Sequence, residues 1–231
     1  MPHRSRKYRE VLEKVDRRAT YELREAIELM KGLKGAGFDE TVELSVQLGI
    51  DPKRSDQQVR GSVSLPNGLG RSQSVLVFAE GEGAEAAKAA DADYVGAADL
   101  AERIKGGWTG FDVALAMPDM MRVIGPLGRI LGPRGLMPSP KNGTVRTDIG
   151  EAVREFKAGK IEVRSDAGGN VHAPVGKLSF TLQSLLENTD ALVGHLQRLK
   201  PASLKGRYFR NAVLSSTMGP GIKLSLSSMG S

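Results

Sequence analysis

The sequence has 231 residues, enough for one large domain or two ordinary ones, and its lack of cysteine excludes disulfides, thiolate zinc sites and thiol nucleophiles. Its three histidines, His3, His172 and His195, are too far apart to be paired metal ligands, and no apolar run is long enough for a signal peptide or membrane span. These absences favour a soluble intracellular protein without metal, cofactor or membrane contact, while the formal net charge of +6 says little until its position along the chain is considered.

The positive charge is concentrated at the two ends of the chain. Residues 69–159 carry 11 Lys or Arg and 12 Asp or Glu, whereas residues 1–68 and 160–231 together carry 22 and 15. After Asp190 there are six basic residues and no acidic one, a pattern that indicates a polyanion partner; the alternative is a solvated basic surface. Because both ends share the basic excess, we expect residues 1–68 and 160–231 to fold together, with residues 69–159 inserted as a second domain.

The N-terminal part predicts two helices and then two strands. Residues 4–18 have an apolar stripe at helical spacing, and basic side chains cover the remaining faces. Thr20 is the expected N-cap of a second helix that runs to Met30. Residues 42–50 alternate between apolar and polar side chains, which predicts a strand with one wet face, and a second strand follows over residues 59–65.

The middle of the chain predicts a small parallel α/β unit, because short apolar strands alternate with helices. The predicted strands and helices of this unit cover, in order, residues 75–79, 84–90, 94–95, 98–104 and 113–117. Residues 125–138 are too rich in glycine and proline for one long helix and predict a short helix that ends in a structured loop. A further helix is predicted over residues 149–157.

The C-terminal part again has the pattern of the N-terminal part. It predicts a strand over residues 161–164, a glycine turn at 168–170 and a long helix over 182–199 with one continuous apolar face. Two closing strands are expected over residues 208–214 and 222–226. They complete the domain that the two ends form.

Two crossings connect the ends of the chain to its middle, near residues 66–70 and 157–160. Both crossings contain glycine, whose backbone is the least restricted of any residue. We therefore expect a double hinge at Gly68, Gly70 and Gly159.

The segment between the two closing strands, Ser215–Gly221, has the strongest functional signal. It begins with three consecutive hydroxyl residues, and its two glycines lack the Cβ that would keep a partner away from the backbone. Such a surface suits ribose hydroxyls and phosphates. The alternative is an ordinary Pro-Gly turn with Met218 in the core.

Two stretches resemble phosphate-binding loops without fulfilling their requirements. Gly70-Arg71-Ser72 lacks the lysine and the following helix of a P-loop. The stretch Gly81–Ala86 matches the dinucleotide pattern and lies between a predicted strand and helix, but Glu80, Glu82 and Glu85 would face the pyrophosphate. A glycine turn with acidic helix-capping residues therefore explains this stretch better than nucleotide binding.

No catalytic constellation is recognisable in the sequence. His172 is a lone histidine in an extended segment, and no activated serine or cysteine nucleophile accompanies it. We therefore predict a binding protein that is not an enzyme and has no small-molecule substrate.

Six short motifs carry a family resemblance. They are Phe38–Glu43, Leu48–Lys53, Val59–Gly61, Gly128–Pro138, His172–Lys177 and Ser216–Ile222. Together they resemble the L-one family of bacterial ribosomal proteins, the proteins of the mobile stalk of the large subunit. The resemblance covers the whole chain, and its motifs are specific.

The resemblance implies a two-domain fold of the mixed α/β (α+β) class. One domain is discontinuous, comes from both termini and has split βαβ topology. The other is an inserted, Rossmann-like, three-layer α/β domain. This organisation agrees with the distribution of charge along the chain.

The resemblance also implies which residues contact RNA. The residues that match family contacts are Phe38, Thr41, Glu43, Ser215, Ser216, Thr217, Met218 and Gly219, and His172 and Lys177 match a motif on the same domain. Their hydroxyls, carboxylate and glycine-exposed amides can read ribose 2′-hydroxyls across a shallow RNA minor groove. The candidates for phosphate attraction are Arg4, Arg6, Lys7, Arg207, Arg210 and Lys223.

The function implied is that of a structural protein of the large ribosomal subunit, located on the cytoplasmic ribosome. Its expected partners are stalk rRNA, exit-site tRNA that leaves in deacylated form, other ribosomal components, and the mRNA of its own operon, whose translation it would repress. Two alternatives stay open at this point: a nucleotide-binding α/β enzyme that uses the Gly81 loop, and a binder of double-stranded DNA.

Overall fold

A computed structural model describes residues 5–33 and 36–229 of the chain, and only the backbone of residues 228 and 229. The described residues divide into two units. Unit 1 comprises those of Met1–Gly70 and Glu162–Ser231, and unit 2 comprises Arg71–Ile161. Within the described part of the chain, no helix is long and apolar enough to cross a membrane.

Helices and strands occur in both units. In chain order, the helices are α1 (Arg6–Leu12), α2 (Leu23–Gly32), α3 (Glu82–Ala89), α4 (Ala98–Lys105), α5 (Met121–Ile124), α6 (Gly128–Leu131), α7 (Ile149–Lys157) and α8 (Leu182–Arg198). The strands are β1 (Thr41–Leu48), β2 (Arg60–Ser64), β3 (Val75–Phe78), β4 (Tyr94–Gly96), β5 (Val113–Ala116), β6 (Lys160–Arg164), β7 (Asn170–Lys177), β8 (Phe209–Ser216) and β9 (Ile222–Lys223). The predicted mixed α/β class is confirmed.

Unit 1 is built on a four-stranded antiparallel sheet with the order β7-β1-β8-β9. Along the central strand β1, buried residues alternate with partly exposed polar ones, as the sequence predicted. Helices α2 and α8 contact each other and the sheet, and their apolar stripes bury Ile27, Met30, Leu192 and Leu196. The polar residues of β1 lie on the opposite face of the sheet, which is where the candidate site is found. Strands β2 and β6 form a separate two-stranded sheet.

Unit 2 has three layers around a parallel sheet with the order β4-β3-β5. Successive residues of β3 point to opposite faces of the sheet, so both of its faces are apolar and the strand is buried throughout. Phe78 packs on one side with residues of α4, α5 and α6. Val77 packs on the other side with residues of α3 and α7, including Phe156. The predicted helix over residues 149–157 coincides with α7.

Two helix boundaries near the N-terminus differ from the prediction. The helix predicted over residues 4–18 ends at Leu12, and the chain then turns, which buries Val15. The apolarity of Val15 therefore reflects the core and not a longer helix. The predicted N-cap Thr20 is also wrong, because Tyr21 forms a β-bridge that keeps the backbone extended and moves the cap to Glu22.

The strands that form the site also differ from the prediction in their bounds. Ser215 and Ser216, expected in the turn between the last two strands (the closing turn), extend β8 instead, and β9 ends at Lys223, before the 3-10 turn that begins at Leu226. The sequence set no bounds for β7, the strand that contains His172. Pro174 lies beside a register shift between β7 and β1, and β7 is an edge strand, which is where proline is tolerated in a sheet.

The three predicted hinge residues, Gly68, Gly70 and Gly159, have φ angles of 63°, 70° and 109°. These values lie in the region that favours glycine over other residues. At Gly70, an added Cβ would also meet the ring of Phe180. A hinge role for these residues stays a prediction.

Candidate nucleic-acid interface

The start of β1 and the closing turn after β8 are joined by reciprocal hydrogen bonds. The N–H of Thr41 donates to Thr217 Oγ1 at 2.9 Å, and the N–H of Thr217 donates to the carbonyl oxygen of Thr41 at 3.1 Å. Two residues further along β1, Glu43 lies opposite Ser215. The structure thus brings together Thr41 and Thr217, which are 176 residues apart in sequence, as the candidate site requires.

Lys177 joins the same cluster from β7. It lies opposite Thr41 in the sheet, and its Nζ donates to Thr41 Oγ1 at 2.8 Å and to the carbonyl oxygen of Asp39 at 3.4 Å. The Thr41 hydroxyl, held as an acceptor by Lys177, is left with its own proton to donate outward. Lys177 therefore sets the orientation of a hydroxyl at the centre of the site.

His172 lies opposite Ser45, two rows further along the polar face of the sheet than Lys177. Its Nδ1 shares a hydrogen bond of 2.9 Å with Ser45 Oγ, and Nδ1 lies 3.8 Å from Glu43 Oε1. On the other side of the ring, Nε2 lies 3.7 Å from Asp166 Oδ2. The pKa of Asp166 is lowered, chiefly because the backbone N–H of Asn170 donates a hydrogen bond to its carboxylate. The imidazole is thus placed between two carboxylates, within reach of a ligand on the open face.

Glu40 is the residue of this site that sequence reasoning missed. Its carboxylate is buried, with 2% of the residue exposed, and accepts three hydrogen bonds. Oε2 accepts from Ser216 Oγ at 2.7 Å and from the N–H of Met218 at 2.9 Å, and Oε1 accepts from the N–H of Ala36 at 3.1 Å. Because a buried carboxylate is stable only when its oxygens are satisfied, these donors must stay in place. Glu40 therefore fixes the closing turn against the loop that precedes β1.

Phe38 and Met218, which flank this carboxylate, are the large hydrophobic side chains that the described residues leave exposed, at 58% and 61%. Met218 therefore does not fill the core, which contradicts that part of the alternative reading of this turn. Together with α1 residues Lys7 and Tyr8, the two side chains line a groove of about 500 Å³. Exposed apolar side chains beside ordered hydroxyls can pack on the sugar and base surfaces of a nucleic acid.

Gly219 completes the closing turn, and its N–H donates to the carbonyl oxygen of Ser216 at 3.1 Å. A Cβ at this position would collide with Ser216 Oγ, the hydroxyl that Glu40 holds. Glycine is therefore required for the turn to keep the Glu40 contact. We define the recognition face as the ten residues Phe38, Thr41, Glu43, His172, Lys177, Ser215, Ser216, Thr217, Met218 and Gly219.

The predicted phosphate contacts do not all lie near the recognition face. Lys223 lies on the polar face. It pairs with Val213 of β8, which pairs with Ser45 of β1, and Ser45 in turn pairs with His172 of β7. Lys7 lines the groove, and the exposed Arg6 pairs with Glu10 on the same helix at 3.0 Å. Arg4 lies outside the described residues.

Arg207 and Arg210 lie at the other end of β8 from the closing turn. The N–H of Gly49, just beyond β1, donates to the carbonyl oxygen of Tyr208 at 2.7 Å, which places both arginines beside the Leu48 end of that strand. Thr217 contacts the Thr41 end, about 23 Å away at the rise of a β-strand. The structure therefore separates these two arginines from the Thr41 and Thr217 end of the recognition face.

This separation predicts different effects for two substitutions that each remove one positive charge. Lys223→Gln is expected to reduce the slope of log affinity against log salt for RNA binding by about 0.7–0.9, because one phosphate contact is lost. Arg210→Gln is expected to leave the slope nearly unchanged. Equilibrium binding of both variants over a series of salt concentrations checks this, and equal slopes for the two variants would contradict the placement.

Comparison with known proteins gives the site its context. The model of the ribosomal protein L1p/L10e family matches residues 29–220. The large ribosomal subunit protein uL1 of Kosmotoga olearia is 55% identical over 224 residues, and the match covers 97% of each chain. Both matches describe ribosomal proteins. The chain belongs to the ribosomal protein L1p/L10e family.

Membership in this family decides whether the chain is an enzyme or a ribosomal protein. The family is one of ribosomal structural proteins and not of enzymes, so the prediction that the chain is not an enzyme is confirmed, as is its location on the cytoplasmic ribosome. The Gly81 loop agrees with this result, because Glu82 and Glu85 lie exposed in the first turn of α3, where they interact favourably with the helix dipole.

Proposed function

We propose that the recognition face binds the stalk segment of large-subunit rRNA. The observation that carries this proposal is the buried Glu40 carboxylate, which accepts from Ser216 Oγ and from the N–H of Met218 and so fixes the turn that carries exposed Met218 beside the ordered hydroxyls. A surface fixed before binding loses less conformational entropy when it binds, which favours affinity. The basic excess of the two chain ends supplies attraction for phosphates.

The chemistry of the face favours RNA over DNA. The hydroxyls of Thr41, Ser215 and Thr217 and the carboxylate of Glu43 can exchange hydrogen bonds with ribose 2′-hydroxyl groups, which DNA lacks. Flat RNA minor grooves present these hydroxyls in rows, and the recognition face is likewise a row of short polar side chains along β1 and β8. A similar relative that is named a large-subunit protein supports the assignment to that subunit.

The proposal includes two further roles that act through the same bound state. A protein that holds the mobile stalk is placed to help deacylated tRNA leave the exit site, together with other ribosomal components. A segment of the chain's own operon mRNA that resembles the stalk rRNA would occupy the same face and so repress translation. The domain proposed for these contacts is that of residues 1–68 and 160–231, with hinges at Gly68, Gly70 and Gly159.

Competition between the two RNAs tests the shared face. Labelled stalk rRNA bound to the full chain is expected to be displaced by an excess of the unlabelled leader of the operon mRNA, because both need Thr217 and Glu43. A filter-binding titration measures the displacement, with an unrelated RNA of equal length as control. Simultaneous binding of both RNAs would show that repression, if present, uses another surface.

A further inference from the structure

Unit 2 has no net charge, but its charges are separated along the sequence. Residues 120–147 contain five basic residues and no acidic one, whereas the rest of the unit contains seven basic and 12 acidic residues. The acid-free segment includes α5, α6 and the loop that follows them. A separation of this size gives the segment a positive potential that the overall charge of the unit conceals.

The fold places the first part of this segment, with α5 and α6, on one side of unit 2. Ile124, Leu127 and Leu131 are fully buried in the cluster that also contains Leu100 of α4. They anchor the segment on the α4 side of the parallel sheet, whereas α3 and α7 pack on the other side. Four basic side chains of the segment are exposed, and they are Arg122, Arg129, Arg134 and Lys141.

Most of these cations are not neutralised. Arg122, Arg129 and Lys141 form no ion pair with any residue that the structure describes, and Arg134 donates to the hydroxyl of Thr109. Elsewhere in unit 2, three of the seven basic residues, Arg71, Lys157 and Lys160, each contact a carboxylate. Within the segment, only Arg146 does so, with Glu155 at 3.0 Å. The segment therefore presents positive charge to solvent.

The chemistry of the surface favours phosphate over an acidic protein. Three of its four exposed cations are arginines, whose planar guanidinium groups match phosphate oxygens in pairs. The core of a protein interface requires large apolar or aromatic side chains, and the described residues expose such side chains only at Phe38 and Met218, both in unit 1. Arg122 and Arg129 are two turns apart in the run of short helices from Pro118 to Leu131, which is about 10 Å along the helix axis. The same distance along the axis of a nucleic-acid duplex spans about three nucleotides of one strand.

We propose that the surface formed by residues 120–147, the basic face of unit 2, is a second nucleic-acid-binding surface that contacts the phosphate backbone without reading sequence. It uses no residue of the recognition face. Unit 1 supplies specificity, and the basic face adds affinity that depends on salt.

Two matched double variants of the full chain test this proposal. Arg122→Gln/Arg129→Gln removes two charges from the basic face, and Lys88→Gln/Arg154→Gln removes two exposed charges from α3 and α7. The probe is a short duplex RNA of arbitrary sequence without stalk structure. The first variant is expected to bind about tenfold more weakly at low salt and to lower the salt slope by about 1–2, whereas the second changes affinity by less than about twofold. Thermal unfolding confirms that both variants fold.

Equal affinities and salt slopes for the two variants would overturn the proposal. Weakened binding of Arg122→Gln/Arg129→Gln to polyglutamate, with unchanged binding to duplex RNA, would instead assign the face to an acidic protein. Failure of the proposed function is a distinct result, because it appears as a wild-type chain that does not prefer stalk rRNA over the arbitrary duplex. That preference depends on the recognition face, which neither double variant alters.

Discussion

Glu40→Gln is expected to weaken binding to stalk rRNA by about 10–100-fold, which corresponds to about 1.4–2.7 kcal/mol. The amide that replaces one carboxylate oxygen cannot accept a hydrogen bond, so either the N–H of Ala36 or the donors of Ser216 and Met218 lose their partner. The same loss is expected to lower the free energy of unfolding by about 1–3 kcal/mol. Calorimetric RNA titration and denaturant unfolding measure the two effects.

A control separates this effect from the general loss of a carboxylate. Glu28 is exposed on α2 and pairs with Arg24 at 3.3 Å, so Glu28→Gln is expected to change the free energy of unfolding by less than about 0.5 kcal/mol and RNA affinity hardly at all. If Glu40→Gln lowered stability but left the RNA affinity of the folded protein at the wild-type value, Glu40 would support the fold without organising the recognition face.

Thr217→Val is expected to weaken RNA binding by roughly 1–3 kcal/mol without unfolding the protein, because valine keeps the shape and removes the hydroxyl. The hydroxyl oxygen accepts from the N–H of Thr41 at 2.9 Å, and the site is exposed, so water can replace the lost partner in the free protein. In the complex this water is excluded, and the unpaired groups then cost free energy. Calorimetric titration with stalk rRNA measures the change.

Thr217→Ser is the matched control for that substitution. Serine keeps the hydroxyl and removes only a methyl group, so affinity is expected to stay within about threefold of the wild type. Equal losses for Thr217→Val and Thr217→Ser would show that the methyl group, and not the hydroxyl, contacts RNA. Wild-type affinity in both variants would remove Thr217 from the site.

The elements that the sequence predicted well are those with a strong local pattern. The alternation along β1 and the apolar stripe of α8 follow from which face of each element is buried, and that can be read from neighbouring residues. By contrast, β7 contains Pro174 and Gly176, which weaken the pattern of a strand. Its pairing at the sheet edge with β1, more than 120 residues away, stabilises it, and that pairing has no local signal.

The candidate site shows the same division. The hydroxyls of the closing turn and the motif around Thr41 were visible in the sequence, although their contact was not derivable from spacing alone. The buried role of Glu40 could not be predicted from the sequence, because a glutamate beside Asp39 is ordinarily expected to be solvated. Only the folded structure brings the donors of Ser216 and Met218 to its carboxylate. Arg210 is near the closing turn in sequence, but the extended strand β8 places it at the other end from that turn, and its role as a phosphate contact stays a prediction.

The measurement that tests the central claim most directly is equilibrium binding of the purified full chain to a structured stalk rRNA fragment and to its DNA counterpart, at several salt concentrations. We expect tight binding to the RNA alone, weakened by roughly 1–3 kcal/mol in Thr217→Val and retained in Thr217→Ser. Weak binding to both nucleic acids with the same steep salt slope would mean that the positive charge acts nonspecifically, and it would contradict a recognition face that reads RNA.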